Sequence, residues 1–321
     1  MSYPSKMKYL ALCGLTVSMF PSVSVQAQEP RQVRLLMGWF AQADQSGYWQ
    51  AQIDHASNDK GIKITTLAGG PKIQTIPQVA AGQAEFGVAN ADDVLLARLR
   101  GAPVRAVFTS LDYVPYTLVY HADPAVKSIA DLKQKTFAVN IGFGYWEWIK
   151  KQYGMAGVRE IPVSGDLSLF KSDSNMVQQG YSLFLPGRVT EAGIPNSQIK
   201  VSDLGYKPYA VLFTSDELIE KNPQLVKDTV AAVKESWKHF AEDPSKSKAL
   251  ILGLNNLVSP TVHDAAVKDL ISDLLPKDRS KIGCMSDARW EELSAQLKDV
   301  KFLPATFDAR QAYDRSFVQG C

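Results

Sequence analysis

The residue types that do chemistry are present in this chain but are never assembled. The four histidines, His55, His121, His239 and His263, are scattered, and none shares a motif with an acid or a cysteine. There is no H-E-x-x-H, C-x-x-C or G-x-S-x-G, and Ser164-Gly165-Asp166 reads as a turn rather than a nucleophile elbow. With no nucleophile, base and orienter together, the expectation is a protein that catalyses nothing and holds neither cofactor nor metal.

What the sequence does concentrate is glycine and aromatic residues directly after strand-like runs. Trp39, Phe40, Gln42, Gln45, Gly47, Tyr48 and Trp49 follow the first run, and Gly69-Gly70-Pro71-Lys72 the second. Asn90-Ala91-Asp92 follows the third, and Phe143, Gly144, Tyr145 and Trp146 come after a later one. Open α/β sheets bind ligands beyond the carboxyl ends of their strands, where loop amides and helix N-termini converge. Glycine lets backbone approach a ligand, and aromatic rings offer flat faces for stacking.

Tyr113, Tyr181 and Tyr209 extend the aromatic set, while Gln42, Asn90, Asp112 and Asn175 are candidate polar anchors. Asp112 suits an amino group; Lys72 or Arg188 suits a carboxylate. The crowding of rings favours a planar heteroaromatic ligand, with an aromatic carboxylate or a sulfonate as the alternative. Each segment also has a packing explanation: Trp39 and Trp49 as core or hinge residues, and Gly69-Gly70-Pro71 as a tight turn. That turn lacks phosphate-loop spacing, which argues against nucleotide binding.

The elements that must position these residues alternate between strand and helix patterns, as in an α/β protein with a largely parallel sheet. Strands are expected at 33–37, 62–67, 86–89, 104–109, 116–120, 136–140 and 209–214, and helices at 47–58, through Ile73, Ile76 and Val79, and at 145–153. Asp92 and Asp93 suit the first turn of the helix after the third strand. Ser128 to Leu132 reads as a short capped helix. Past Ser215 the pattern is helical: Pro223 starts a long helix with Val226, Val230, Val233 and Trp237 on one face, followed by helices at 244–257, 261–274 and 286–299. No internal repeat or flexible linker is evident. Two crossings, near 113–117 and 205–212, divide the chain into one lobe of 28–112 plus 210–321 and a second of 113–209.

The N-terminal segment sets the compartment. Lys6 and Lys8 precede a mostly apolar stretch, and Val25-Gln26-Ala27 fits a peptidase site, so residues 1–27 read as a cleaved signal peptide. Its removal leaves 33 basic and 33 acidic residues, a balance that gives no electrostatic footprint for nucleic acid. Two cysteines, Cys284 and Cys321, survive it, and an oxidising compartment would permit them to pair or leave them as free thiols.

Taken in order, Trp39 with Gly47-Tyr48-Trp49, Gly69-Gly70-Pro71, the 81–87 run Ala-Gly-Gln-Ala-Glu-Phe-Gly, Ile129-Ala130-Asp131-Leu132, the Asn175 to Tyr181 run and Asn222-Pro223 resemble the NMT1/THI5-like solute-binding proteins. The resemblance implies a two-lobed periplasmic-binding-protein fold of type II with the ligand cleft between its lobes, closing by hinge motion. It implies delivery of a small molecule to an ABC permease driven by a cytoplasmic ATPase; the expectation is a monomeric periplasmic receptor, with a ligand sensor without a transport role as the alternative. Family ligands include thiamine-pyrimidine precursors, riboflavin-like compounds, sulfonates, nitrate and aromatic acids. Family members that build the thiamine pyrimidine consume a histidine of their own; Gln45 stands at the matching position here, and there is no cysteine cluster.

Overall fold

The computed structural model describes residues 1–2, 29–54, 58–70 and 72–321. The expected signal peptide, Pro71 and part of the predicted 47–58 helix lie outside the described residues.

Two five-stranded sheets form the frame. The first runs β2 (Ile62–Leu67), β1 (Arg31–Leu36), β3 (Phe86–Asn90), β10 (Ala210–Ser215), β4 (Val104–Leu111). The second runs β7 (Arg159–Pro162), β6 (Thr136–Val139), β8 (Met176–Tyr181), β5 (Tyr116–His121), β9 (Asn196–Lys200). In the first, β1 pairs in parallel with β2 and β3, while β10 runs antiparallel to β3 and β4. In the second, β6 is parallel to β7 and β8, and β5 is antiparallel to β8 and β9. Both sheets are therefore mixed. Each holds one reversed strand because β5 and β10 arrive from the other sheet across the two connections. The order is the same in both, so the molecule repeats in topology what it does not repeat in sequence.

The helices, in chain order, are α1 (Ser46–Ile53), α2 (Thr75–Ala80), α3 (Ala91–Leu99), α4 (Gly144–Gln152), α5 (Ser168–Ser172), α6 (Leu185–Glu191), α7 (Asp216–Lys221), α8 (Pro223–Glu242), α9 (Ser245–Leu254), α10 (Pro260–Asp269) and α11 (Asp287–Asp299). Their ends follow local rules. Asn222 caps α8 by accepting from Leu225 N at 3.2 Å, and Pro223 takes the first-turn position that needs no N–H. Val226, Val230, Val233 and Trp237 form the buried face of α8, as their spacing requires. Ser128 and Asp131 form a capping box on a 3₁₀ turn rather than an α-helix. The predicted helix 261–274 is α10 continued by a π-type turn at Leu270–Leu274.

α11 positions the cleft. It packs against α3 of the first sheet and α4 of the second. One apolar core runs from Val94 and Leu95 through Leu297 and Trp290 to Tyr145, Trp146 and Phe137. The C-terminal tail is pinned beyond it: Cys284 and Cys321 form a disulfide with Cα atoms 5.6 Å apart. Among the described residues, no helix is long and apolar enough to cross a membrane.

Candidate functional site

The carboxyl ends of β1, β2 and β3 meet the start of β5 and the end of β8 where the two sheets approach. After β1 the chain turns through Trp39 and Phe40, whose rings lie edge to face at 5.4 Å. Gly69 N–H donates to Trp39 O at 2.9 Å, and a Cβ on Gly69 would fall 2.0 Å from Met37 O, so only glycine allows these loops to lie together. Asn255 holds the same loop from behind by donating to Ala41 O at 2.9 Å. Trp39 stays 42% exposed and Phe143, at the start of α4, 44% exposed. Gly70 sits beneath the Phe40 ring.

Asn90, the last residue of β3, donates through Nδ2 to the Tyr116 hydroxyl at 2.8 Å, a bond from one sheet to the other. Tyr116 stacks on Tyr145 with ring centroids 4.7 Å apart and meets Tyr181 edge to face at 5.5 Å. Tyr145 is fully buried, and its hydroxyl has no partner; Asn140 backbone is nearby but outside hydrogen-bonding geometry.

Three carboxylates converge on these rings. Burial pushes Asp44 up to about 7, and its Oδ1 is sealed from solvent without a donor. Asp92 accepts from the Tyr206 hydroxyl at 2.9 Å and is raised by burial. Asp93 is raised by burial and then by repulsion from Asp92. All three charges act on the Tyr181 phenol. Asp44 and Asp93 retain part of their surface, as expected of groups that line a crevice rather than fill a core. Among the described residues, none of the three forms a salt bridge, and no cluster of His, Cys, Asp and Glu gathers to hold a metal ion.

Several sequence candidates have other roles. Tyr48 is buried edge to face against Trp237 at 5.4 Å, and Gln45 is buried and accepts from Trp49 Nε1, so both support α1 from within. Gln42 precedes the short turn Ala43–Gln45 and makes no side-chain cap bond. Gly144 approaches protein rather than ligand: a Cβ there would lie 2.6 Å from Leu297 Cδ2 and 3.0 Å from Tyr206 Oη. Asn175 is exposed at the amino end of β8, bonded to Gln134 O, and the structure does not bring it to the cleft. Lys72 is exposed, and Arg188 donates to Gly165 O.

Asp112, Tyr113 and Tyr209 belong to the crossings. Arg289 on α11 donates to Asp112 O in one crossing and to Lys207 O, at 2.8 Å, in the other. Its guanidinium lies 3.9 Å over the Tyr209 ring. One side chain thus ties both connections to α11. Burial raises the Asp112 carboxyl, with Arg289 opposing. Tyr113 lines a water-sized crevice of about 30 Å³ with Ser182, Lys200 and Asp273 behind this hinge.

Sequence reasoning did not single out Asp44, Tyr116, Tyr206 and Arg289, placed Asp92 in the segment after the third strand, and took Asp93 only as a partner of a helix dipole. The adjacent acids at a strand end were the available signal.

The family described as NMT1/THI5 like matches residues 42–247. The riboflavin-binding protein RibY of Chloroflexus aurantiacus is 23% identical over 250 residues, which cover 73% of this chain and 70% of that protein. The periplasmic aliphatic sulphonate binding protein SsuA from Escherichia coli superposes with a TM-score of 0.68 at 14% identity, covering 91% of this chain and 95% of that one. The periplasmic nitrate-binding protein NrtA from Synechocystis PCC 6803 gives a TM-score of 0.61 at 11% identity, covering 90% and 87%.

Proposed function

The chain belongs to the NMT1/THI5-like family and has its two-lobed α/β fold, and from that premise we propose that it is the solute-capturing component of an ABC importer. Residues 28–112 and 210–321 form one lobe and 113–209 the other. The protein works as an exported periplasmic monomer after loss of residues 1–27. It catalyses nothing: it closes on a small molecule and presents the closed form to a membrane permease and its cytoplasmic ATPase. The solute is a flat heteroaromatic.

The observation that carries this reading is the inter-sheet bond from Asn90 to Tyr116, set against the rings of Tyr145 and Tyr181. A polar anchor on one lobe and a wall of tyrosine on the other suit a ring that stacks on one side and hydrogen-bonds at its edge. Closure of this kind needs differential affinity for the closed state, which a ligand touching both lobes provides.

The test is a thermal-shift screen of the purified protein against pyrimidines, flavins, aromatic carboxylates and sulfonates. A ligand at 100 times its Kd adds about 2.7 kcal/mol, an easily measured shift. Stabilisation by heteroaromatics is the expected result. Stabilisation by alkanesulfonates alone would sink the proposal of an aromatic solute.

A further inference from the structure

We propose that the solute carries a positively charged nitrogen on or beside its ring, seated among Asp44, Asp92 and Asp93 while the ring lies against Tyr116 and Tyr181. This rests on the reading of the cleft as an aromatic solute site and adds the sign of the solute's charge.

The argument begins with uncompensated charge. Three carboxylates on two elements of the first lobe act on one phenol, Tyr181, yet none has a salt-bridge partner among the described residues. The cation that bears on Asp93 is Arg100, at the far end of α3. Asp92 accepts from Tyr206 and Asn90 bears on Asp93 as a donor, but neither brings a positive charge, and a bound cation relieves the cost that remains.

Beside the missing counter-charge, two polar atoms are buried without a hydrogen-bond partner. The Tyr145 hydroxyl is fully buried, unbonded and within reach of the Asp92 charge. Asp44 Oδ1 is sealed from solvent with no donor. Buried polar atoms are rarely left so, which points to a donor that arrives with the solute.

The third argument is exclusion. A helix N-terminus at the carboxyl edge of a sheet is ordinarily suited to an anion. Here the first turn of α3 carries Asp92 and Asp93, so an anion at that helix end would meet two carboxylates. The tyrosine faces point the same way, because an aromatic face attracts cations.

The pH dependence follows. The groups around the seat are Asp44 on the turn after β1, Asp92, Asp93 and Arg100 on α3, Tyr116 and Tyr181 on β5 and β8, Tyr145 on α4, Tyr206, and Glu160 of β7, which acts on Tyr145. The phenols are raised by burial and stay neutral. Asp44, pushed up to about 7, is partly protonated near neutral pH, and burial raises both Asp92 and Asp93. A cation binds their ionised forms, so its affinity rises with pH and binding releases protons.

The test uses three planar probes of one shape: benzamidinium, benzamide and benzoate. Calorimetry on the purified protein should show benzamidinium binding at least about tenfold more tightly than benzamide, with benzoate weakest. Between about pH 6 and pH 8 benzamidinium keeps its charge, so a rise in its affinity over that range reports the carboxylates. Asp44→Asn and Asp93→Asn should each erase most of the preference for benzamidinium over benzamide. The wild-type comparison stands by itself if either variant misfolds. Benzamide or benzoate binding as tightly as benzamidinium would overturn the charge assignment while leaving the aromatic site intact. Failure of all three probes to bind would remove the aromatic site and the charge assignment together.

Discussion

The first sheet brings Asp44, Asn90, Asp92 and Asp93 to the cleft, whereas the second brings Tyr116, Tyr145, Tyr181 and the start of α4. Because the sheets share one strand order, the comparison can be made position by position. Each central strand ends beside the strand that arrives from the other lobe. In the first sheet that last pair is Asn90 opposite Ala210; in the second it is Tyr181 opposite Tyr116. The same backbone corner therefore offers an amide and a small methyl group on one side, and two aromatic rings on the other. The backbone plan does not decide the chemistry of the cleft; the residues at its strand ends do. Dividing charge from stacking has a consequence for closure. A solute bound to either wall alone gains part of the interaction, and only the closed form supplies both.

The largest expected effect comes from breaking the polar wall. The folded-state pKa of Asp44 is about 7, raised by burial above its ordinary 3.8. Below about pH 4 both folded and unfolded chains hold that proton. As pH rises from about 4 through 7 the unfolded chain releases it first, so stability is lost over that window and the loss is complete above it. Asp44→Asn removes the penalty, and the ligand-free variant should be more stable than wild type by about 2–4 kcal/mol at pH 8, with little difference near pH 4. Urea denaturation at the two pH values measures this. A variant no more stable at pH 8 would mean that a counter-charge already satisfies Asp44.

A smaller effect comes from the contact between the walls. Gly144→Val places a branched side chain where Leu297 Cδ2 and Tyr206 Oη stand 2.6 and 3.0 Å from an added Cβ. Leu297 can turn aside in part, but Tyr206 is held by Asp92, so α4 must move away from α11. Such overpacking costs about 1–3 kcal/mol and should fall on the closed form, lowering affinity for any solute that bridges the lobes. Small-angle scattering would show a larger radius for the ligand-saturated variant. Unchanged affinity and radius would show that this contact does not report closure.

Much of the framework was legible because it rests on local rules. Alternating runs gave the strands, the period of Val226, Val230, Val233 and Trp237 gave the long helix, and Ser128 and Pro223 marked helix starts. That Asn90 ends a strand was legible, and the structure places it there with a bond to Tyr116 of the other sheet. The same logic misplaced Asn175, which precedes β8 and so lies at the opposite end of the sheet from Tyr181. Asp92 stood in the segment after the third strand, but the dipole of α3 explained both acids locally and nothing in the sequence set them beside Tyr116 and Tyr181. Tyr48 and Gly144 looked like cleft residues because sequence shows that a side chain is large or absent, not which neighbour it faces. The hinge residue Arg289 lies far along the chain from both crossings that it joins, and no motif links them.

The finest comparison is a single oxygen. Tyr116 belongs to the aromatic wall through its ring and to the polar wall through its hydroxyl, which accepts from Asn90. Tyr116→Phe keeps the ring that stacks on Tyr145 and deletes only that link. The loss should be about 0.5–1.5 kcal/mol in solute affinity, because one neutral hydrogen bond between the lobes disappears. A double-mutant cycle with Asn90→Ala separates two explanations. If the bond stabilises closure, the two losses overlap and the double variant binds about as weakly as Asn90→Ala alone. If Asn90 instead turns to the solute on binding and leaves Tyr116, the losses add. Additivity would move Asn90 from the seam between the walls to the solute itself, and the polar wall would then be read as four residues acting directly on the ligand.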